Sequence, residues 1–137
     1  PLGIPEIIKE GTDITIVSYG STLRIIQEAV TMLEAKGISC EIMDVQTLLP
    51  FDINHSILAS LKKANRIVFI DEDVPGGAAA FMFNNVMEEQ GGYKYLDVAP
   101  RTITGKAHRP AYGSDGDYFS KPNAEEIEAV IKQMMAE

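Results

Sequence analysis

Hydrophobic positions along this chain form short continuous runs that alternate with stripes at helical spacing. Residues 14–19 are an almost unbroken apolar and β-branched run, which is typical of a strand covered on both faces. The next apolar positions recur at 3-4-3 spacing, which predicts a helix with one buried side. That stripe consists of Leu23, Ile26, Val30 and Leu33.

The same alternation continues to the end of the chain and predicts the fold class. Further strands are expected at 6–9, 39–45 and 66–70, and another within 95–104, where Pro100 interrupts or bounds it. Further helices are expected over 53–64, over 79–86 and from Asn123 onward. Asp52 is expected to cap the helix over 53–64, and Ile53 is expected to point inward from it. Strands that alternate with helices indicate an α/β/α three-layer sandwich with a mostly parallel sheet.

Three residues mark the turns that separate these elements. Gly20 follows the first long strand and suits a tight turn into the next helix. Ser21 is expected to cap that helix through its hydroxyl. Asn123 stands three residues before Glu126, the spacing of a capping box.

Composition narrows the class of protein. The 137 residues carry a formal net charge of −8, which argues against a nucleic-acid binder. No apolar run approaches the roughly 20 residues of a membrane span. Cys40 is the single cysteine, expected to be a buried small hydrophobe, and we expect a reducing compartment such as the bacterial cytoplasm. Because the chain opens with Pro1, we also expect it to be a piece of a longer polypeptide.

Candidate chemistry is expected at the carboxyl ends of the strands, where open α/β sheets bind ligands. The run Asp71-Glu72-Asp73 follows one strand, and Gly20 follows another. There is no G-x-G-x-x-G motif and no P-loop. Carboxylate oxygens could bind a divalent cation, as in a receiver-like domain, but such a domain needs acidic residues after its first core strand, where this chain has Tyr19.

The long segment 105–122 is rich in Gly, Pro, Tyr and Ser and is a candidate partner surface. His108 lies between two cationic residues, but no nucleophile with a partner acid is readable beside it. No catalytic residue and no metal ligand is therefore assigned. The candidate interface residues are Asp71, Glu72, Asp73, Gly76, Gly77, Arg101, Lys106, His108, Arg109 and Tyr112.

Four motifs in order resemble the transketolase C-terminal domain family, and most of all the C-terminal domain of the E1 β subunits of 2-oxo acid dehydrogenases. The run 11–20, Gly-Thr-Asp-Ile-Thr-Ile-Val-Ser-Tyr-Gly, is similar to the family's opening strand and turn. The resemblance continues through 36–38 and through 44–52, which is similar to "D-L-R-T-L-x-P-x-D". Its strong part ends with 68–73 and Gly76-Gly77, and the resemblance as a whole covers nearly the whole chain, from about Ile4 to Met134.

The resemblance implies a five-stranded sheet whose first short strand is antiparallel. It implies a connector at 1–5 and a domain at 6–137. It also implies a parent enzyme that uses thiamine diphosphate and Mg²⁺, held in preceding domains and not by this fragment alone. The implied partners are other E1 domains or subunits, the E2 acyltransferase core and a second copy in a homodimer; nucleic acid and membranes are not implied.

Two departures keep alternatives open. The chain has Ala78-Ala79 where E1 β subunits commonly continue "G-G-F-G", and its 104–112 loop is basic where relatives often carry an acidic one. A transketolase or deoxyxylulose-phosphate synthase origin would use Arg101, Lys106 and Arg109 to contact phosphate. A non-catalytic receiver-like module is the third interpretation.

Overall fold

Strands and helices alternate through the residues that the computed structural model describes, which are 2–72, 77–105 and 122–137. The strands are β1 (Glu6–Lys9), β2 (Ile14–Ser18), β3 (Cys40–Asp44), β4 (Ile67–Ile70) and β5 (Arg101–Ile103). The helices are α1 (Thr22–Glu34), α2 (Ser56–Ala64), α3 (Ala78–Phe83) and α4 (Ala124–Ala136). A π-helical turn, Asn84–Glu89, extends α3, and a 3₁₀ turn spans Gly92–Tyr95.

One sheet joins the five strands in the order β1-β3-β2-β4-β5. Strand β2 pairs in parallel with β3 and β4, and β4 pairs in parallel with β5. Strand β1 pairs antiparallel with β3. This confirms the predicted class, including the antiparallel first strand that the family resemblance implied.

Two hydrophobic cores lie on the two faces of the sheet. Ile16 faces the core that α1 and α4 cover, whereas Val17 faces the core that α2 and α3 cover. Every residue of β2 is buried, because side chains alternate between two covered faces. This explains why the strand reads as an unbroken apolar run.

The predicted turn and cap residues have different outcomes. Gly20 has φ of +67°, the left-handed region that glycine enters at least cost, as predicted. The Asn123 side chain accepts a hydrogen bond from the Glu126 backbone N–H at 2.9 Å, as predicted. The prediction that Ser21 caps α1 is wrong, because the Ser21 backbone is helical and its side chain makes no capping hydrogen bond. A capping hydroxyl reaches the first turn from an extended backbone, and Ser21 has φ of −67° and ψ of −21°.

The strand predicted within 95–104 is found directly after Pro100, at Arg101–Ile103. The chain before Pro100 bonds to the end of α2, where the Asp97 N–H donates to the Asn65 carbonyl at 2.8 Å. One element prediction is wrong. Ile53 is 59% exposed, not buried, because α2 begins only at Ser56. Left-handed backbone at Asp52 and His55 keeps the intervening residues out of the helix.

The first described residues pack into the fold. Gly3 and Pro5 are buried, and the predicted boundary between a connector and the domain stays a prediction. None of the helices in the described part of the chain has the length and apolar character to cross a membrane.

Candidate functional site

The carboxyl edge of the sheet holds the described residues of the predicted acidic turn, which are Asp71, Glu72 and Gly77. Strands β2 to β5 run in parallel, so the segments that follow them leave from the same edge. Strand β2 leads into α1 on one face, and its neighbour β4 leads toward α3 on the other face. Such a point, where neighbouring strands feed opposite faces, is where open α/β sheets form a binding crevice.

In this chain, hydrogen bonds join the ends of β2 and β4 directly. The Tyr19 hydroxyl donates to Asp71 Oδ1 at 3.0 Å, and the Ser18 hydroxyl donates to the Ile70 carbonyl at 2.7 Å. Both bonds cross from one strand end to the other at the place where a ligand would enter. The edge is therefore tied together by the protein's own polar groups.

Asp71 is at the centre of this junction. It is 1% exposed, and its Oδ2 accepts from the Ala79 N–H at 3.3 Å, which satisfies a backbone donor in the first turn of α3. Its own N–H donates to the Ile103 carbonyl at 3.0 Å. Asp71 thus connects the ends of β2, β4 and β5 with α3, and its contacts are those of a scaffold residue.

The structure describes only some of the other predicted residues of the acidic turn. Glu72 is exposed, and Gly77 is half-buried as the residue before α3. Asp73 and Gly76 lie outside the described residues. A role of this turn in a subunit interface stays a prediction. Glu72 is exposed and suits such a contact better than Asp71, which is buried.

Arg101 is not at this edge. It begins β5, where it lies level with Val68 of β4 and two residues before the carboxyl end of its strand, and its guanidinium pairs with the Glu137 carboxylate after α4. It also donates to the Ala99 carbonyl at 2.7 Å. Lys106, His108, Arg109 and Tyr112 lie outside the described residues. The phosphate-binding alternative stays a prediction, and the Arg101 guanidinium that it uses is already paired with Glu137.

The loop after β3, which the sequence analysis described as a family motif ending in the cap residue Asp52, also contributes to this edge. The segment 45–55 follows β3, and a cavity of about 270 Å³ lies between its start and Tyr19. Gln46, Asp52 and His55 all have positive φ there. His55 is exposed, as predicted for a surface histidine. The run Leu-Leu-Pro-Phe-Asp, residues 48–52, indicates that regular structure ends there, but it does not predict the left-handed backbone of this loop.

Asp52 holds this loop in place. Its Oδ1 accepts from the Ser56 N–H at 2.8 Å, and its Oδ2 accepts from Gln90 Nε2 at 3.1 Å. Burial raises the pKa of the Asp52 carboxyl, and the bonds from Gln90, Ile57 and Ser56 oppose that rise. The predicted capping role of Asp52 is confirmed, although it stands four residues before the helix.

Neither a reactive thiol nor a metal centre is found in the described residues. Cys40 is buried in β3, as predicted, and burial raises the pKa of its thiol to about 12. No group of three or more His, Cys, Asp or Glu residues within 2–72, 77–105 and 122–137 could hold a metal ion.

Comparisons with known proteins agree with the fold and the motifs. A family model described as the transketolase C-terminal domain matches residues 3–127. The pyruvate dehydrogenase E1 component subunit beta of Acholeplasma laidlawii is 35% identical over 135 residues, which cover 98% of this chain and 40% of that protein. The mitochondrial 2-oxoisovalerate dehydrogenase subunit beta of Dictyostelium discoideum is 43% identical over 91 residues, 64% of this chain and 24% of that protein.

A solved structure shows the same architecture. The chain of a split gene transketolase, titled an inactive beta4 tetramer, superposes with a TM-score of 0.76 at 23% identity, covering 99% of this chain and 42% of that one. This likeness bears on the fold alone. The chain spans about 40% of the length of the Acholeplasma relative. Because the family model covers residues 3–127, the chain belongs to the transketolase C-terminal domain family.

Proposed function

We propose that this chain is the C-terminal domain of the E1 β component of a 2-oxo acid dehydrogenase, in which it serves as scaffold and subunit interface. The observation that carries the proposal is the 35% identity to a pyruvate dehydrogenase E1 β subunit across 98% of the chain. The bonded junction at Asp71 and Tyr19 supports a scaffold role, because both side chains are used to hold elements together.

In the proposed parent enzyme, thiamine diphosphate with Mg²⁺ supplies the decarboxylation chemistry on the 2-oxo acid, and the acyl group passes to lipoamide on E2. The described residues of this chain do not fit that cofactor. Asp71 is buried against Tyr19 and Ala79, and the described ranges hold no set of three metal ligands. We therefore assign the cofactor to other domains of the parent and derive no step of the reaction for this chain.

The partners in the proposal are other E1 domains or subunits. The relatives are named as subunits, which supports contact with further chains. Contact with the E2 core and pairing with a second copy are finer proposals, as is a reducing compartment such as the bacterial cytoplasm. The transketolase alternative is less favoured, since the two relatives described above are named as β subunits of pyruvate dehydrogenase E1 and of 2-oxoisovalerate dehydrogenase. Arg101, which that alternative uses for phosphate, also pairs with Glu137.

Two measurements test the proposal. Titration calorimetry of the 137-residue chain with thiamine diphosphate and Mg²⁺ should give no binding heat at micromolar concentrations; micromolar affinity would contradict a purely scaffolding role. The longer polypeptide, assembled with its partner subunits, should decarboxylate pyruvate or a branched 2-oxo acid with an artificial electron acceptor. Turnover of a ketose phosphate in place of a 2-oxo acid would assign the chain to the transketolase branch instead.

A further inference from the structure

A cavity of about 510 Å³ opens between the edge strand β1 and helix α1. Its apolar walls are aliphatic side chains, those of Ile8, Val30 and Ile42. Val30 and Ile42 are buried in the core that α1 covers, and Ile8 is 36% exposed. The polar walls include Lys9, Thr31 and Glu34. We call this the edge cavity, and none of these residues belongs to the carboxyl edge described above.

A β-bulge brings two consecutive side chains to the edge cavity. Ile7 pairs with Met43 and Lys9 pairs with Ile42, so Ile8 is the extra residue of β1. Consecutive side chains of a regular strand point to opposite faces of the sheet. Ile8 and Lys9 nevertheless both line the cavity. Bulges re-aim side chains in this way, often beside functional sites.

Opposite charges lie side by side in the edge cavity. Lys9 Nζ lies 2.9 Å from Glu34 Oε2, and it also donates to the Glu10 carbonyl at 3.3 Å. An ammonium group has three donors, so one remains for a ligand. The Cys40 N–H donates to Glu34 Oε2 at 3.0 Å, so β3 holds this carboxylate independently of Lys9.

Glu34 is an anchored and charged acceptor. The Cys40 N–H, and after it the Lys9 ammonium, lower the pKa of the Glu34 carboxyl, so it is ionised at neutral pH. Within the described part of the chain, both of these contacts use Oε2. Oε1 is therefore the oxygen that can accept a hydrogen bond from a ligand.

Helix α1 adds a second acceptor beside Glu34. Thr31 lies three residues before Glu34, so the two side chains are neighbours on one face of the helix. The Thr31 hydroxyl donates to the Gln27 carbonyl at 3.0 Å. A hydroxyl has one proton to donate, so Thr31 offers a ligand only its lone pairs. Glu34 and Thr31 together suit an ammonium group, whereas Lys9 suits a carboxylate.

We propose that the edge cavity binds a free α-amino acid with an aliphatic side chain. Lys9 binds the carboxylate of the ligand, and Glu34 and Thr31 accept hydrogen bonds from its ammonium group. The aliphatic side chain packs on Ile8, Val30 and Ile42. Glu34 would repel a simple carboxylate and Lys9 a simple amine, whereas an α-amino acid has both charges attached to one carbon. This inference does not rest on the proposed function.

The edge strand itself favours a small ligand over an added peptide strand. Strand β1 is four residues long, contains the bulge and carries the charged residues Glu6 and Lys9. Short length, bulges and charges protect edge strands from pairing with further strands. The Lys9–Glu34 pair is also partly exposed, and such pairs contribute little to stability, so a ligand can replace it at small cost.

NMR titration of the isotope-labelled 137-residue chain with L-leucine tests the proposal. We expect saturable shifts of the Lys9, Thr31 and Glu34 amides, with a dissociation constant below about 1 mM, which a ligand of this size can reach. The Tyr19 and Asp71 amides at the carboxyl edge should not shift.

Three further probes each lack one recognised group. The 2-oxo acid with the carbon skeleton of leucine lacks the ammonium group, isopentylamine lacks the carboxylate, and glycine lacks the aliphatic side chain. Each should bind at least tenfold more weakly than L-leucine, because each loses one of the three contacts. This comparison uses the wild-type chain and so decides the proposal even where a variant does not fold.

Two variants assign the binding to the edge cavity. Glu34→Gln removes the charge but keeps an acceptor for the Cys40 N–H, and Lys9→Met keeps an unbranched side chain without the ammonium group. Each should weaken L-leucine binding at least tenfold. Lys36→Met is the matched control, because Lys36 forms an ion pair with Glu128 at 2.7 Å outside the cavity, and it should leave the affinity unchanged. Urea unfolding midpoints establish that the variants are folded.

Three results would overturn the proposal: no saturable shifts at ten times the expected dissociation constant, binding of any of the three probes as tight as that of L-leucine, or an affinity that Glu34→Gln and Lys9→Met leave unchanged. The titration needs neither thiamine diphosphate nor a partner subunit. A failure of the proposed function would therefore leave its result unaffected.

Discussion

Gln90 donates a hydrogen bond from Nε2 to the buried Asp52 carboxylate at 3.1 Å, joining the loop after β3 to the end of the π-helical turn that follows α3. The two residues are 38 positions apart in the chain. Asp52 also satisfies N–H groups at the start of α2. One carboxylate therefore holds three segments in their relative positions.

Replacing Asp52 with alanine should destabilise the chain by about 2–4 kcal/mol, because it removes a helix cap and leaves buried donors without an acceptor. Asp52→Asn should cost less, since asparagine keeps an acceptor and tolerates left-handed backbone. Urea unfolding followed by circular dichroism measures both. Asp97→Ala, at an exposed aspartate, is the control and should change stability by less than about 0.5 kcal/mol. Equal effects at 52 and 97 would contradict the role of Asp52.

Glu41 should make stability depend on pH. It is 1% exposed, and burial alone would raise its pKa, but bonds from Lys63, Ser60 and the Gly11 N–H outweigh burial and lower it. A carboxyl with a lowered pKa in the folded state stabilises above its unfolded pKa of about 4.3, and this contribution is lost as pH falls through the folded pKa.

The stability difference between wild type and Glu41→Gln should thus be largest near neutral pH and shrink as pH falls toward the folded pKa of Glu41. Urea midpoints measured from pH 7 down to pH 3 provide the test. Glu10→Gln, at an exposed position in the segment after β1, is the control and should change stability at pH 7 by less than about 0.5 kcal/mol. A constant difference for Glu41→Gln would mean that its charge contributes nothing to folding.

The Tyr19 hydroxyl should contribute to the junction at the carboxyl edge. Tyr19→Phe removes the donor to the buried Asp71 and should cost about 1–3 kcal/mol, the range for bonds to charged groups. Tyr93→Phe, on an exposed ring, is the matched control. Thermal unfolding of both variants measures the difference. A Tyr19→Phe variant as stable as wild type would show that the bond is not needed to hold the edge together.

Gly11 should tolerate no side chain. A Cβ there would lie 2.2 Å from the Cys40 carbonyl carbon. The backbone at Gly11 and the backbone at Cys40 cannot move apart without breaking the pairing of β2 and β3. Gly11→Ala should therefore cost more than about 3 kcal/mol, at or above the usual range for overpacking. Gly37→Ala is the informative comparison, because a Cβ at Gly37 would lie within 4 Å of no other atom. Its only cost is the left-handed backbone at φ of +84°, which destabilises the chain by about 1–2 kcal/mol. Similar unfolding midpoints for the two variants would contradict the steric explanation.

Cys40 should be inert in the folded chain. Its side chain is fully buried, and its thiol pKa of about 12 leaves almost no thiolate at pH 8. Reaction with Ellman's reagent at pH 8 should proceed at the rate of unfolding and become rapid in denaturant. Immediate reaction under native conditions would show that β3 opens locally.

Most of the architecture could be predicted from local patterns in the chain. The unbroken run of β2, the stripe of α1, the left-handed Gly20 and the cap at Asn123 depend on residues within about four positions of one another. The order of motifs also identified the family. These features follow from the sequence because backbone sterics, periodicity and capping act between near neighbours.

The tertiary structure alone decided which side chains became available at the surface. It paired Arg101 with Glu137, buried Asp71 against Tyr19, and turned Ile53 outward through left-handed backbone at Asp52. Each outcome depends on partners that are distant in the chain or on a loop conformation that those partners enforce. Periodicity and composition carry no information about such contacts, whereas the packed sheet and its connections determine them.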